Sequence, residues 1–407
     1  MLKYRLRKVK FPTAIPRGVW VLGFVSLFMD VSSELIHSLL PVFMVSALGA
    51  SAVAVGLVEG IAESTALIVK VFSGALSDYL GKRKELAVFG YGLGALSKPF
   101  FALAGSVEAV FAARFMDRVG KGLRGAPRDA LIADLTPEPV RGAAYGLRQS
   151  LDTVGAFVGP LLAMALMLTF SGNFRTVFWF AAIPGVISVG LLVAGVRESE
   201  AVPSPGRVRT PIEWRMLKKL GGDYWMLVAG GAVFSLARFS EAFLILRARQ
   251  AGLSDALAPS VLVLMNIVYA LSAYPAGRLA DRVDRRFLLG LGLAALLASD
   301  LALAQTGGWI PAAFGVALWG LHLGFTQGVF AAMLAAAAPA NLRGTAFGFF
   351  NLASGIALLA ASALAGLLWD KIGAPATFYA GAIFSAAALA LVIAAIGRAP
   401  EAAASTG

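Results

Sequence analysis

Apolar residues run through this chain in stretches long enough to cross a bilayer, separated by short segments where Gly, Pro and charge concentrate. A helix that crosses the membrane needs about 20 apolar residues. The pattern predicts six spans at 18–46, 53–79, 84–105, 108–135, 140–170 and 174–196. Six more follow at 223–246, 256–280, 287–306, 309–338, 343–369 and 374–397. The expected fold class is an all-α integral membrane protein of twelve transmembrane helices. They form an N-terminal six-helix bundle at 18–196 and a C-terminal one at 223–397. A central loop at 197–222 joins the bundles, and tails at 1–17 and 398–407 flank them.

Composition closes off the alternatives. Of 407 residues, 58% are hydrophobic and 14% charged, against roughly 45–50% and about 25% in soluble proteins. A soluble core would leave too much apolar surface in water, and the plentiful Phe, Leu, Val and Ile exclude disorder. With no cysteine and only two histidines, His37 and His322, disulfide frameworks, thiol catalysis and multi-histidine metal clusters are excluded. The basic, polar start of the chain has no A-x-A-like end after its first apolar run, so a cytoplasmic tail is expected there, not a signal peptide.

The net charge of +12 could indicate nucleic acid, but its distribution argues otherwise. With the N-terminus in the cytoplasm, the internal segments carry 21 Lys and Arg and the external segments four. Cytoplasmic loops of membrane proteins carry such an excess. Both termini are therefore expected in the cytoplasm of a multi-pass inner-membrane protein that binds no nucleic acid.

The halves repeat. Gly74-Ala-Leu-Ser-Asp78, followed by Gly81, Lys82 and Arg83, recurs as Gly277-Arg-Leu-Ala-Asp281, followed by Arg285 and Arg286. Arg141-Gly142 recurs as Arg343-Gly344. Two landmarks at almost one spacing imply duplication, an arrangement common in transporters, with the binding site between the halves.

Over its whole length the sequence resembles the major facilitator superfamily of secondary transporters. The segment from Gly74 to Arg83 is similar to that superfamily's G-x-L-[SA]-D-x-x-G-[RK]-[RK] signature, which implies gating roles for Gly74, Asp78, Gly81, Lys82, Arg83 and, in the second copy, Asp281. Lys82 and Arg83 are expected to reach carboxylates across the cytoplasmic seam. Gly155-Ala-Phe-Val-Gly159-Pro160 resembles an element of bacterial-type exporters, chiefly drug–proton antiporters. Glycines four apart allow close helix packing, and Pro160 frees the carbonyl of Ala156, so Gly155, Gly159 and Pro160 join the gating candidates. Arg118-Val-Gly-Lys121-Gly122 resembles the R-x-x-Q-G pattern, whose arginine is linked to proton coupling in family members.

Charges inside the membrane cost roughly 2.5–3.5 kcal/mol each on insertion scales and are functional candidates by default. In the fourth span Arg114, Asp117, Arg118, Lys121, Arg124, Arg128 and Asp129 fall within an arc of about 140°, so this stripe is expected to face the central cavity. Asp30, Glu34 and His37 share a face of the first span, Glu59, Glu63 and Lys70 a face of the second, and Asp152 lies in the fifth. A carboxylate whose partner changes between two conformations can carry a proton. The proton-coupling candidates are Asp30, Glu34, Glu63, Asp152 and Arg118. The substrate-cavity candidates are His37, Glu59, Lys121, Arg124, Arg128, Arg238, Glu241, Asn266 and Gln327. Arg238 and Glu241 are expected to pair with each other at i, i+3, and His322 to serve packing or lining.

No P-loop, H-E-x-x-H or G-x-S-x-G element occurs, so neither an ATP-driven pump nor an intramembrane enzyme is expected. The sequence points to proton-driven efflux of a small organic compound by rocking of two halves, with no cofactor and no bound metal. One chain holds both halves, so function as a monomer in the bilayer is expected. Proton symport of an organic anion or metal chelate is the alternative reading, and ferroportin-like divalent-metal export a more distant one.

Overall fold

The computed structural model describes residues 15–197, 220–280, 282–305, 307–339 and 342–396, without the side chains of 78, 223, 332, 335, 343 and 394–396. Most of the central loop lies outside the described residues. The elements are helices: α1 (Arg17–His37), α2 (Leu40–Ser46), α3 (Ala52–Leu80), α4 (Arg83–Leu103), α5 (Val107–Leu135), α6 (Arg141–Thr169) and α7 (Phe174–Gly195). Then come α8 (Gly222–Ala237), α9 (Ala242–Gln250), α10 (Ser260–Ala280), α11 (Arg285–Gln305), α12 (Trp309–Ala337), α13 (Arg343–Lys371) and α14 (Ala374–Ile396). Helix pairs α1/α2 and α8/α9 are the broken first and seventh spans.

Among the described residues eleven segments are long and apolar enough to cross a membrane. The twelfth is α5, whose 29 residues include nine charged ones. It is as long as α3 and α6, and charge alone sets it apart.

Packing repeats with the sequence. Within the first half α1 packs on α6 and α7, α4 on α5 and α7, and α3 on α5. In the second half α8 packs on α13 and α14, α11 on α12 and α14, and α10 on α12. Each contact in one half has its counterpart six spans later. The halves meet mainly through α3 against α13 and α6 against α10.

One end of this double bundle is sealed and the other is open between the halves. At the sealed end Phe43, Val55 and Val58 of the first half share an apolar cluster with Ala242 and Leu246 of the second. Small residues bring α3 and α13 together: a Cβ on Gly56 would stand 2.2 Å from the Ser362 carbonyl oxygen, and one on Gly366 2.5 Å from that of Ala52. Asp370, at the end of α13, accepts hydrogen bonds from the backbone N–H groups of Ala52 (3.0 Å) and Val53 (2.9 Å) at the start of α3.

The opposite end carries Arg17, the Lys82–Lys84 turn and the close of α5. There one apolar cluster lies wholly in the first half and another wholly in the second, while a third, around Tyr224 and Leu342, meets the first half through Val71 of α3. Gly81 closes α3 with φ +62°, the left-handed conformation that glycine adopts without steric cost. Lys82 pairs with Glu85 at 2.9 Å and Arg83 with Asp134, both inside the first half. These two contacts lie within the first bundle and do not cross the seam. The Asp78 side chain and Asp281 lie outside the described residues.

Candidate functional site

A cavity of about 750 Å³ lies between the halves, and Glu34, His37, Glu63, Arg118, Lys121, Arg238, Glu241, Asn266 and Gln327 all line it. Lys70, singled out only as co-facial with Glu59 and Glu63, lines it too. It reaches into the bundle at the two helix breaks. In the first span Pro41 has no N–H to give the His37 carbonyl, so α1 ends at His37 and α2 restarts at Leu40. In the seventh, Ser362 accepts the Ser240 N–H (3.1 Å) and Ser240 accepts that of Ala242 (3.2 Å), bonds that replace helical ones. The two breaks fall at corresponding positions of the repeat, and interrupted spans at matching places are where transporters hold their ligands.

Behind the first-half wall lies a buried ion network. Arg114, 1% exposed, donates to Glu59 Oε2 at 2.6 Å. Glu63 lies 3.2 Å from Arg118 Nη1 and 3.6 Å from Arg114 Nη2. Asp117 takes Lys98 Nζ at 2.7 Å and Arg118 Nε at 3.5 Å, while Lys98 also donates to Ser33. His37 bridges this network to the cavity: Nδ1 is 3.3 Å from Glu34 and Nε2 3.6 Å from Glu59.

The charged stripe of α5 thus turns largely inward, against α3 and α4, where carboxylates and Lys98 compensate it. This corrects the expected placement of three residues. Glu59 is fully buried beneath the wall, held by Arg114 and His37. Arg124 sits 5.0 Å from the centre of the Tyr91 ring, filling the space left by Gly94. Arg128 contacts Asp129 (3.1 Å), Ser26 (3.1 Å) and Asp152 (4.0 Å). Close packing against α4 and the ion pairs with Asp129 and Asp152 draw these two arginines off the cavity wall. Asp152 is itself bound by Arg148 at 2.9 Å, and Asp30 faces α6 beside Gly155.

The second half holds its charges differently. Arg238 and Glu241 form no ion pair, because the helix that would have set them at i, i+3 is broken between them. Arg238 instead lies over the Phe234 ring at 5.6 Å, its buried Nε without a hydrogen-bond partner. His322 is fully buried, Nδ1 against the Gly292 carbonyl at 2.9 Å, and packs on Phe234 and Trp319 without lining the cavity.

The glycine–proline element of α6 packs where its sequence suggests. A Cβ at Gly155 would fall 2.7 Å from the Leu27 carbonyl oxygen, and one at Gly159 2.8 Å from Glu34 Cβ, so α6 lies directly on the α1 face that carries Glu34. The Ala156 carbonyl, which loses its helical donor at Pro160, accepts instead from Asn266 Nδ2 of the other half at 3.4 Å. A sequence sign of that cross-half contact was present in Pro160; its partner was not readable.

Comparison with known proteins agrees with this architecture. An uncharacterized MFS-type transporter of Methanocaldococcus jannaschii is 30% identical over 378 residues, 91% of this chain and 93% of that one. The multidrug resistance protein MdtH of Photorhabdus laumondii is 30% identical over 165 residues, 40% of each chain. Among solved structures, a mutant of the nucleoside transporter NupG superposes with a TM-score of 0.77 at 12% identity, covering 93% of this chain and 99% of that one. The Major Facilitator Superfamily model matches residues 22–357 and again 227–406, and with this fold the chain belongs to that superfamily of secondary transporters.

Proposed function

We propose that this protein is a proton-coupled exporter of a small organic compound, working by alternating access. The carrying observation is the line Glu34–His37–Glu59, which joins the wall of the inter-half cavity to the buried ion network. Glu34 has His37 as its ion-pair contact, at 3.3 Å. Glu63, by contrast, is gripped by two permanently charged guanidinium groups. Protonation of Glu34 would remove the negative partner of His37 Nδ1, so the contact between the cavity wall and the buried network changes with one proton while Arg114 keeps its hold on Glu59.

The excess of basic residues at the open end favours that end as cytoplasmic, and the conformation described is then inward-facing. Export draws support from the packed Gly155–Pro160 element and from the partial likeness to a multidrug resistance protein. A symporter of organic anions is the second reading, favoured by Lys70, Lys121 and Arg238, cavity cations without a direct salt bridge among the described residues.

Everted vesicles holding an acid-inside gradient test the proposal. A transported compound should dissipate that gradient, read by a pH-sensitive dye, and accumulate inside. If no compound from a library of organic anions, cations and neutral molecules moves under any imposed gradient, the exporter reading fails.

A further inference from the structure

The cavity is polarised from wall to wall. On the first-half side the open positions are basic: Lys70 and Lys121 both line the cavity, and among the described residues neither forms a direct salt bridge, although Asp129 lies near Lys70 and Glu34 and Glu63 near Lys121. The acids on that wall are engaged, Glu63 by Arg118 and Glu34 by His37. On the second-half side the wall is aromatic. Phe234 and Phe330 stack with centroids 5.8 Å apart and planes 8° from parallel, and Phe350 continues the stack at 5.3 Å. All three rings line the cavity.

We infer that the ligand of this cavity is an amphiphilic organic anion with a flat apolar body, such as an aromatic carboxylate or sulfonate. This deepens the functional proposal above and rests on its choice of the inter-half cavity as the transport site. The anionic group sits against the Lys70 and Lys121 ammonium groups, where it supplies the direct ion pair that neither has with the nearby carboxylates. The ring lies along the Phe234–Phe330–Phe350 wall, where offset stacking and exclusion of water favour a flat apolar surface. A cationic ligand fares worse on both walls. It meets two ammonium groups on one side, and on the other the cation position over Phe234 is already filled by Arg238. Glu241 is the one cavity carboxylate outside the ion pairs, set against three unpaired cations.

Equilibrium binding to the purified full-length protein, with no gradient present, tests the inference apart from transport. The probes are 2-naphthoate, naphthalene-2-sulfonate, 2-naphthylmethylammonium and the non-aromatic cyclohexanecarboxylate. The two naphthalene anions should bind at least about tenfold more tightly than the ammonium, a difference of about 1.4 kcal/mol. Cyclohexanecarboxylate should bind more weakly than 2-naphthoate. Lys121→Gln should weaken anion binding by a similar factor and Lys121→Arg should retain it, and Lys70→Gln supplies a second, independent loss of charge. Phe330→Leu should weaken 2-naphthoate more than cyclohexanecarboxylate. The inference is overturned if the ammonium binds as tightly as the anions, if neither anion binds at millimolar concentration, or if both lysine-to-glutamine variants bind like the wild type. Intact anion binding with no proton-driven flux would leave this assignment standing and count against the exporter proposal alone.

Discussion

The Asp370 carboxylate accepts hydrogen bonds from the backbone N–H of Ala52 at 3.0 Å and of its neighbour Val53 at 2.9 Å, so the last turn of α13 holds the first turn of α3. Ser51 caps the next donor, Ala54, at 3.2 Å. The free N–H groups and positive dipole end of α3 are thus met by a charge from the other half. Hydrogen bonds to a charged group are worth about 1.5–3 kcal/mol. Asp370→Ala should shift the conformational balance about tenfold or more toward opening of the sealed end, read as labelling of a cysteine placed there. Unchanged labelling would show that the apolar cluster around Phe43 and Leu246 is sufficient to hold the seal.

Arg114 and Glu59 are both buried and 2.6 Å apart. Breaking a buried pair from one side leaves an uncompensated charge, at a cost of about 3–5 kcal/mol. Arg114→Met should therefore lower the thermal unfolding midpoint strongly, and Glu59→Leu likewise. The double variant should lose less than the sum of the two. Strict additivity in unfolding measurements would deny the coupling.

Glu34→Gln should abolish proton-driven flux yet leave substrate exchange at equal concentrations intact, since exchange needs no net proton movement. Among the coupling candidates, Asp30 packs against α6 and Asp152 is bound by Arg148, whereas Glu34 lines the cavity with His37 as its ion-pair contact. Full proton-driven flux in Glu34→Gln, with its loss in Glu63→Gln, would move the coupling role to the Arg118 pair.

Asp78→Asn should impair transport while insertion and ligand binding stay normal, as a gating role for the repeated segment implies. Wild-type flux in that variant would remove the gate assignment.

Much of this architecture is legible in the sequence because the bilayer imposes it. Span length follows from hydrocarbon thickness, and the offset between Asp78 and Asp281 exposes the repeat. The fourth span could be read despite its nine charges, since the seven between Arg114 and Asp129 fall on one helical face. That face did not reveal its neighbour, however. A helical wheel gives a direction, and whether Arg124 meets a cavity or Tyr91 depends on how closely α4 and α5 approach at Gly90, Gly94 and Gly120. The break at Arg238–Glu241 was hidden for a related reason. Pro41 announces the first-span break locally, whereas Ser362, over a hundred residues away, supplies the bond that stabilises the second.

In the proposed transport cycle the two halves rock so that the cavity opens alternately to each end. The native chain has no cysteine, so spin labels can be placed at will. One pair, Ala143→Cys with Arg282→Cys, spans the open end at exposed positions; another, Gly105→Cys with Gly307→Cys, spans the sealed end where added side chains meet nothing. Distances by double electron–electron resonance in lipid nanodiscs, at acidic and alkaline pH and with 2-naphthoate, should change in opposite directions. The first pair should shorten as the second lengthens, with Glu34→Gln fixed in one distribution at both pH values. Two pairs whose distances stay constant under every condition, or lengthen together, would contradict alternating access by this protein.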